Sequence, residues 1–422
     1  MRFIYFHFMP FDALPADFSE KYRSSWVDLP ASLGDSRRVH GLYNTYLNQL
    51  ELADASGFHG LGLNEHHNNA YGLVSNPGLM TAALARRTSK SALLVMGNSI
   101  PLYNPAIRIA EETALLDVLT GGRIIAGFPM GTSQDTNFVY GVEPRTTRAR
   151  YNEGFELIKR AWTEPDVFSF NGEFNKLRYV NPWPRPLQKP HPPIWAPGSG
   201  SVETFDFAVK HDIPYTFLSF FGSDFAEANM KKYWARVDAM GRDRNPYRAG
   251  MVQTILVADT DEEARRLYEP HVKYFYQRLS HVYPGYAEAP GYKSLDSLRA
   301  AVPPKDAPGG ARRDTFAAAR DLTWDEFVDS GIVIAGSPST VRDRLSDAAD
   351  RLNIGNWISL LHLGDMPDEL ARQNIDLFTS KVLPGLENKF SGYEHRWWPK
   401  PLDLSERGVP DAARTGSMGG AA

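Results

Sequence analysis

The feature that most constrains the fold of this chain is an alternation of short apolar runs with longer amphipathic stretches. Eight runs are rich in β-branched or aromatic residues, and a stretch with apolar residues at helical spacing follows most of them. This pattern is typical of strand–helix units whose parallel sheet is buried on both faces. Eight such units predict an α/β fold, a (β/α)8 TIM-type barrel with loop insertions. The predicted strands are residues 3–8, 60–64, 92–97, 123–127, 193–196, 215–220, 250–258 and 357–363, and the predicted helices are residues 43–56, 77–88, 105–119, 151–163, 201–210, 224–240, 261–279, 339–352 and 367–383.

Three segments exceed what a minimal barrel needs, and they predict loop insertions within a single domain of residues 1–390. These segments lie near residues 11–41, 164–192 and 284–320. Segment 164–192 is rich in proline and aromatic residues, which predicts a small antiparallel excursion or a loop. Long insertions in a compact domain are usually functional or disordered. Residues 391–422 are predicted to form a polar C-terminal tail.

Composition excludes several classes of function. The chain has no cysteine, so disulfides, thiolate metal sites and cysteine nucleophiles are ruled out. Its formal net charge is -4 and its Lys and Arg residues are scattered, so no basic surface for nucleic acid or an anionic membrane is evident. No stretch has the roughly 18 uninterrupted apolar residues of a membrane span, and the N-terminus lacks a signal-peptide pattern. We therefore expect a cytoplasmic protein with a small-molecule partner.

Polar residues that directly follow the predicted strands are the first candidates for chemistry. In TIM-type barrels the active site lies at the C-terminal ends of the strands. These candidates are His7, Glu65, His66, His67, Asn98, Ser99, residues 130–133, residues 198–201, His362 and Asp365.

The densest of these clusters is residues 64–68, with the sequence Asn-Glu-His-His-Asn. Two adjacent histidines after a strand are compatible with metal ligation, with proton transfer or flavin contact, and with plain hydrogen bonding through Glu65. Neighbouring residues on an extended segment point to opposite sides, so His66 and His67 can hardly face the same ion. We predict an acid/base or flavin-contacting role for one histidine and no metal site, and a purely structural role stays open.

A Gly-Ser turn after the fifth predicted strand is a candidate phosphate site. Residues 197–201 read Pro-Gly-Ser-Gly-Ser and lead into a predicted helix, whose N–H groups and dipole would favour a phosphate. The turn matches neither a P-loop nor a Rossmann fingerprint, and a simple helix cap is the structural alternative. Arg145, Arg148 and Arg150 precede Tyr151 and could supply positive charge to a phosphate or form a solvated face.

Several short motifs occur together along the chain. In order, they are Gly57-Phe58, Asn64-Glu-His-His67, Asn76-Pro77, Leu116-Asp117, Gly122-Arg123, Arg150-Tyr151, Pro192-Pro-Ile-Trp195 and the loop 198–201. Their order and spacing resemble the bacterial luciferase-like family of flavin-dependent monooxygenases. The likeness covers roughly residues 1–390, and the set is specific although no single motif is.

The resemblance implies a homodimeric barrel that binds reduced FMN at the strand C-termini, with the flavin supplied by a separate flavin reductase. In this family a flavin C4a-peroxide formed with O2 oxidises small organic substrates while the protein excludes water. We therefore expect a two-component monooxygenase acting on a small apolar or aromatic substrate. The alternative on the same fold is a reductase or dehydrogenase that uses the deazaflavin coenzyme F420. A catalytically inactive flavin-binding subunit and a metal-dependent hydrolase are further alternatives.

The resemblance also assigns site residues. The implied catalytic residues are His66, as the first histidine of the Glu-His-His motif, and Glu65 beside it. The implied cofactor contacts are Asn98 near the isoalloxazine edge, Tyr151 toward the phosphate, and Gly200, Ser201 and Thr204 at the phosphate itself. The apolar residues Trp26, Phe217, Phe220 and Phe221 would suit a bulky apolar substrate or ordinary core packing.

Two positions depart from the luciferases themselves. Met130 stands where luciferases carry an arginine for the flavin phosphate, and Pro129 stands where they carry a cysteine near the flavin ring. We therefore do not expect light emission. The phosphate charge would have to be met elsewhere, by Arg148 or Arg150.

Overall fold

In a computed structural model of the protein, the predicted barrel is present. The structure describes residues 1–218, 220, 222–300 and 319–407. Numbered in chain order, the strands of these residues are β1 (Arg2–His7), β2 (Gly60–Leu63), β3 (Ala92–Met96), β4 (Ile124–Gly127), β5 (Phe168–Asn171), β6 (Lys176–Val180), β7 (Ile194–Gly198), β8 (Tyr215–Leu218), β9 (Ala249–Val257), β10 (Val333–Gly336) and β11 (Asn356–Leu360). Eight of them, in the order β1-β2-β3-β4-β7-β8-β9-β11, are parallel neighbours, and β11 pairs with β1 to close the barrel. These eight correspond to the eight predicted strands.

Side chains alternate between the barrel interior and the layer under the helices, as the two-residue period of a strand requires. Along β1, Ile4 and Phe6 belong to the interior cluster, whereas Phe3 and Tyr5 pack outward against helices. Gly62 of β2 leaves room for this filling, since a Cβ there would lie 2.7 Å from the Phe6 ring. The interior is therefore packed with side chains, and in barrels of this type ligands bind at the C-terminal end of the strands.

The strand β10 was not predicted, and its position explains why it lies outside the barrel pattern. The first part of the long strand β9 pairs with β8, from Ala249 to Val252. Beyond that point, residues 254–257 of β9 pair with β10 instead. The extra strand thus extends the sheet where β8 has ended.

Helices surround the barrel close to their predicted positions. The first long helix begins at Ser36, where Asp35 caps it by accepting the backbone N–H of Arg37. The helix bounds are Phe18–Lys21, Ser36–Ser56, Pro77–Ala85, Ile107–Leu119, Thr147–Thr163, Val202–Lys210, Ser223–Ala239, Asp261–Tyr274, Pro284–Ala287, Leu295–Ala300, Trp324–Asp329, Pro338–Leu352 and Asp368–Leu377, with π-helical turns at Gln134–Val139, Phe275–Leu279 and Phe378–Val382 and 3-10 turns at Ala31–Leu33, Ile100–Leu102, Pro246–Arg248 and Leu383–Gly385. No helix among the described residues is long and apolar enough to cross a membrane.

The predicted insertions differ in structure. Segment 164–192 contains the antiparallel pair β5–β6, in agreement with the predicted antiparallel excursion. Of the segment 284–320, residues 301–318 lie outside the described residues, as do residues 408–422 of the predicted tail. The described part of the tail packs on the barrel, because the carbonyl of Trp397 accepts the indole N–H of the interior residue Trp195 at 3.1 Å.

Candidate active site

His66 lies after β2 and is paired with a carboxylate from the loop after β4. Its Nδ1 is 2.8 Å from Oδ2 of Asp135, and the His66 backbone N–H donates to the Val74 carbonyl at 2.9 Å. The side chain of Asp135 is only 4% exposed. Thr132 donates its hydroxyl to the same Asp135 oxygen at 2.8 Å. Among the described residues, no group hydrogen-bonds the other ring nitrogen of His66, Nε2, so this nitrogen is available to a ligand.

His67 points the opposite way, toward Glu65. The distance from His67 Nε2 to Glu65 Oε1 is 3.5 Å, which is too long for a good hydrogen bond. Glu65 is instead held by the Tyr103 hydroxyl at 2.7 Å and by the backbone N–H of Ser99 at 2.9 Å. Burial and the charge of Glu65 raise the pKa of Tyr103, so its hydroxyl stays protonated and donates. The two histidines therefore face different partners, as the extended backbone predicted.

Asn98, predicted to lie near the flavin ring, belongs to the same network as Glu65. Its side-chain amide donates to the Tyr103 hydroxyl at 3.0 Å, and the residue is buried after β3. The structure thus brings Glu65, His66 and Asn98 together at the C-terminal end of neighbouring strands.

Aromatic rings form the wall next to His66. The ring centroids of Trp26 and Tyr71 lie 5.0 Å and 5.1 Å from that of His66. Tyr71 in turn contacts Phe8 at 4.5 Å, and Phe8 lies 6.1 Å from Phe220. We call Trp26, Tyr71, Phe8, Phe220 and Phe275 the aromatic wall.

Two residues of the predicted apolar tract are not part of the aromatic wall. Phe217 is fully buried in the outer cluster, 6.0 Å from Phe225, because it points away from the barrel interior. Phe221 lies outside the described residues. Of the four tract residues, the structure therefore places Trp26 and Phe220 beside the candidate site.

The Gly-Ser turn after β7 has the geometry of a helix N-terminus. Ser201 caps the helix Val202–Lys210, with its hydroxyl 2.7 Å from the Thr204 hydroxyl and accepting the Thr204 N–H at 3.3 Å. Gly200 has a φ of +105°, and a Cβ there would collide with the side-chain oxygen of Asn229. Because the first turn of a helix leaves N–H groups unpaired, this turn offers donors and two hydroxyls at one place.

Of the three candidate arginines, Arg148 lies at this turn. Its guanidinium is 3.5 Å from the Ser201 hydroxyl. Arg150 instead stacks on Phe174, with 4.5 Å from its guanidinium carbon to the ring centroid. Arg145 lies against Gly291 of the inserted segment. Arg148 is therefore the arginine positioned to add positive charge beside Ser201 and Thr204.

Tyr151 is buried, and its hydroxyl is already bonded to the protein. It donates to the carbonyl of Phe128, just after β4, at 2.8 Å. Burial raises the Tyr151 pKa to the point that the phenol stays neutral, although the nearby Arg148 lowers it. The hydroxyl can still accept a hydrogen bond but has no proton left to donate to a phosphate.

The described part of the inserted segment packs over the loops that carry these residues. Tyr292 donates its hydroxyl to the Gly131 carbonyl at 2.5 Å, and the backbone N–H of Ala289 donates to the Ser133 hydroxyl at 2.7 Å. Ser294 and Ser297 both donate to Glu203, next to the Gly-Ser turn. The segment thereby covers the side of the mouth between the loops after β4 and β7.

His7 and His362, also candidates from the strand-end rule, lie elsewhere. Their rings are 4.7 Å apart and both contact Tyr46 of the helix Ser36–Ser56, so they point outward under that helix. Burial lowers the pKa of His7 well below its usual value, and that of His362 to about 3. Both are therefore neutral at physiological pH. Within the described residues, no group of three or more His, Asp or Glu side chains is arranged to hold a metal.

Sequence reasoning missed Asp135, Tyr103 and Tyr71. Asp135 contacts His66 across 69 positions of sequence, a separation at which no periodicity can indicate a contact. The sequence did point to the partner of Asp135, because Thr132 lies in residues 130–133, the polar candidates after the fourth predicted strand. Tyr71 follows the Glu-His-His motif by only four residues, so a search of the whole loop after β2 would have included it.

A sequence model of the luciferase-like monooxygenase family matches residues 29–352 of this chain. Among relatives, the oxygenase component of the flavin-dependent trigonelline monooxygenase of Acinetobacter baylyi is 30% identical over 182 residues. That alignment covers 42% of this chain and 49% of the relative.

Solved structures share the whole architecture. The oxygenating constituent of the 3,6-diketocamphane monooxygenase of Pseudomonas putida, in complex with FMN, has a TM-score of 0.66 at 18% identity, covering 91% of this chain and 98% of that one. An F420-dependent secondary alcohol dehydrogenase in complex with an F420-acetone adduct has a TM-score of 0.61 at 15% identity, with the same coverage. These likenesses show the barrel fold. The family match over most of the chain shows more: this protein belongs to the luciferase-like monooxygenase family.

Proposed function

We propose that the protein is the oxygenase of a two-component system that uses reduced FMN and O2 to oxidise a small neutral organic substrate. The observation that carries the proposal is the placement of two sites on one face of the barrel. The Gly-Ser turn with Arg148 follows β7, and His66 with its free Nε2 follows β2. A flavin phosphate suits the first site, and a reacting group suits the second.

The residues present fit a flavin nucleotide. Ser201, Thr204 and Arg148 would hold the phosphate by hydroxyl donors, helix N–H groups and one positive charge. Asn64 supports a polar ligand near His66. It is buried just after β2, and neither of its side-chain polar atoms has a hydrogen-bond partner in the part of the chain that the structure describes. Buried amides are normally paired, so Asn64 is suited to the polar edge of a bound ring.

In the proposed reaction, the flavin supplies the electrons that activate oxygen. The protein orients the flavin and the substrate, excludes water and carries a proton. His66 accepts or returns a proton at Nε2, which is the usual role of a histidine with a free ring nitrogen next to a ligand site. The aromatic wall and the inserted segment limit the entry of water. Glu65 and Asn98 keep the loops after β2 and β3 in place through Tyr103.

The aromatic wall supports a substrate that is apolar or aromatic. The rings of Trp26 and Tyr71 both pack against the His66 ring. The nearby carboxylates of Asp135 and Glu65 already accept hydrogen bonds from the protein. Among the described residues, the contacts of His66 include no counter-ion for a charged substrate other than Asp135, whereas a neutral ring could stack on Trp26 or Tyr71. The trigonelline monooxygenase relative is described as an oxygenase component, and this description supports a separate flavin reductase as partner.

A homodimer is supported by an exposed apolar patch on two adjacent helices. Leu79 is 71% exposed on the helix Pro77–Ala85, and Leu115 is 56% exposed on the neighbouring helix Ile107–Leu119. Val118 and Leu119 extend the patch. Exposed apolar side chains on adjacent helices are typical of association surfaces, and a second copy of the chain would present the same side chains.

The test compares FMN with riboflavin, which lacks the phosphate. Replacing both Ser201 and Thr204 with Ala, or Arg148 with Ala, should weaken FMN binding by on the order of 10- to 100-fold, because charge-assisted hydrogen bonds are worth about 1.5–3 kcal/mol. Riboflavin affinity should change only a few-fold. Arg150→Ala is the matched control and should leave both affinities unchanged, since Arg150 stacks on Phe174.

Equal losses for FMN and riboflavin would exclude the phosphate role. Two anaerobic experiments separate the proposal from its alternative, namely a titration with reduced FMN followed by admission of air, and an incubation of the protein with oxidised F420 and substrate. A monooxygenase should bind reduced FMN and consume O2. An F420-dependent dehydrogenase on the same fold should instead bleach F420 with substrate in the absence of oxygen, and that result would replace the proposal.

A further inference from the structure

The two oxygens of the Asp135 carboxylate have different partners. Oδ1 accepts the backbone N–H of His67 at 2.8 Å, while Oδ2 lies 2.8 Å from His66 Nδ1 and accepts the Thr132 hydroxyl at 2.8 Å. The carboxylate is almost completely buried, and its only ion-pair partner among the described residues is His66. It therefore bonds to both histidines of the motif but contacts the ring of only one.

Both oxygens of the carboxylate already accept a hydrogen bond, Oδ1 from the His67 N–H and Oδ2 from the Thr132 hydroxyl, so we assign the hydrogen between Asp135 and His66 to Nδ1. A neutral His66 then carries its lone pair on Nε2. If the ring flipped, a carbon atom would replace Nδ1 opposite Asp135 and this bond would be lost. Trp26 and Tyr71 also pack against the ring, with centroid distances of 5.0 Å and 5.1 Å. The pair thus fixes both the tautomer and the orientation of the imidazole.

The neighbouring His67 lacks such a partner. Its Nε2 is 3.5 Å from Glu65, whose oxygens already accept the Tyr103 hydroxyl and the Ser99 N–H. His67 Nε2 is buried and makes no hydrogen bond to any residue that the structure describes. Of the two histidines in the motif, therefore, only His66 has a carboxylate that determines which ring nitrogen carries the proton.

We propose that Asp135 is a positioning residue that holds His66 as the Nδ1–H tautomer, so that Nε2 presents a lone pair to the ligand in the barrel mouth. Thr132 supports Asp135 by occupying the remaining lone pair of Oδ2. The functional part of this inference rests on the proposed role of His66 as the proton carrier. The tautomer itself is a property of the protein and can be measured without any substrate.

Asp135→Asn is the informative substitution because it changes one bond and spares the others. The amide oxygen can still accept the His67 N–H, and Thr132 can turn from donor to acceptor. The amide NH2 would then donate to His66 Nδ1, which forces the proton onto Nε2. The shape of the site is preserved while the tautomer is reversed.

The primary readout is the proton NMR spectrum of the ligand-free enzyme. A histidine N–H bonded to a buried carboxylate gives a resonance far downfield of the amides, and the His66→Gln variant identifies the one from His66. The control is the pair His271–Asp365, in which Nδ1 and Oδ1 are 2.7 Å apart at a different place; its carboxylate is 34% exposed, so exchange with water should broaden its signal. Asp365→Asn should remove only the His271 signal, and Asp135→Asn only the His66 signal.

In turnover assays with reduced FMN, Asp135→Asn should lower kcat by roughly 100- to 10,000-fold, the range for losing an acid/base group. Its FMN affinity should stay within a few-fold. The pH–rate profile should lose the limb that His66→Gln also removes. A merely structural role for Asp135 would lower the folded fraction without changing the pH profile.

Retention of the His66 signal in Asp135→Asn would overturn the inference. Loss of the signal with full activity would support the tautomer assignment and refute His66 as the proton carrier, so the two failures are distinguishable. If Asp135→Asn does not fold, Thr132→Val provides the second test. It removes one hydrogen bond to Oδ2 and should shift the His66 resonance, and an unchanged resonance would count against the proposed arrangement.

Discussion

Replacing His362 with Phe should make the fold less sensitive to acid. The His362 ring is 2% exposed and packs against His7 and Tyr46, and burial lowers its pKa from 6.5 to about 3. The folded state therefore keeps this ring neutral at pH values where the unfolded chain binds a proton. The stability that depends on the neutral ring is complete above pH 6.5 and is lost as the pH falls toward 3.

The magnitude follows from the two pKa values. Each pH unit below the unfolded value costs about 1.4 kcal/mol, so this one group should remove about 2 kcal/mol of unfolding free energy between pH 7 and pH 5. Phe keeps a flat ring between His7 and Tyr46 but cannot be protonated. The free energy of unfolding of His362→Phe should therefore fall by about 2 kcal/mol less than that of the wild type over the same interval.

Urea unfolding followed by tryptophan fluorescence at both pH values measures this difference. His40, which is exposed on the helix Ser36–Ser56, supplies the control. His40→Gln should leave the wild-type pH dependence unchanged. If wild type and His362→Phe lose the same free energy to within about 0.5 kcal/mol, the usual range of neutral substitutions, the reasoning from burial is refuted.

Two further predictions concern the Gly-Ser turn and the apolar patch. Gly200→Ala should destabilise the fold and weaken FMN binding, since the residue has a φ of +105° and a Cβ would collide with Asn229. Gly141→Ala, at φ +67° with nothing within 4 Å, should cost only the roughly 1–2 kcal/mol of the backbone conformation. Equal FMN affinities in the two variants would contradict the role of the turn. Leu115→Glu should shift the sedimentation of the protein from dimer to monomer, whereas Val167→Glu, equally exposed on the β5 side, should not. A wild type that sediments as a monomer would refute the proposed association.

The barrel was predictable because a parallel strand that is buried on both faces appears in the sequence as a continuous run of apolar residues. All eight barrel strands were found this way. The helix Ser36–Ser56 begins before its predicted start at residue 43, because its first turns are exposed and polar and show no apolar periodicity. Only the cap residue Asp35 marks that start in the sequence. The strand β10 was missed because it does not belong to the eight-unit pattern.

The candidate site was predictable to the extent that it lies at strand ends. Glu65, His66 and Asn98 follow strands directly. Hydrogen bonds through Tyr103 link Glu65 to Asn98, and His66 is the neighbour of Glu65 in the chain. His7 also follows a strand but points outward, since the rule specifies the end of the strand and not the face of the side chain. Asp135 is reached through a loop and a π-helical turn, and only tertiary structure brings it to His66.

Hydrogen bonds connect the loop that carries His66 and His67 to two other loops of the barrel. Asp135 joins it to the loop after β4 by two bonds, and Glu65 beside it joins the loop after β3 through Ser99 and Tyr103. A change in any of these three loops therefore alters the setting of the other two. We therefore expect that exchanging one of these loops with that of a relative disturbs the candidate site more than exchanging the loops after β2, β3 and β4 together.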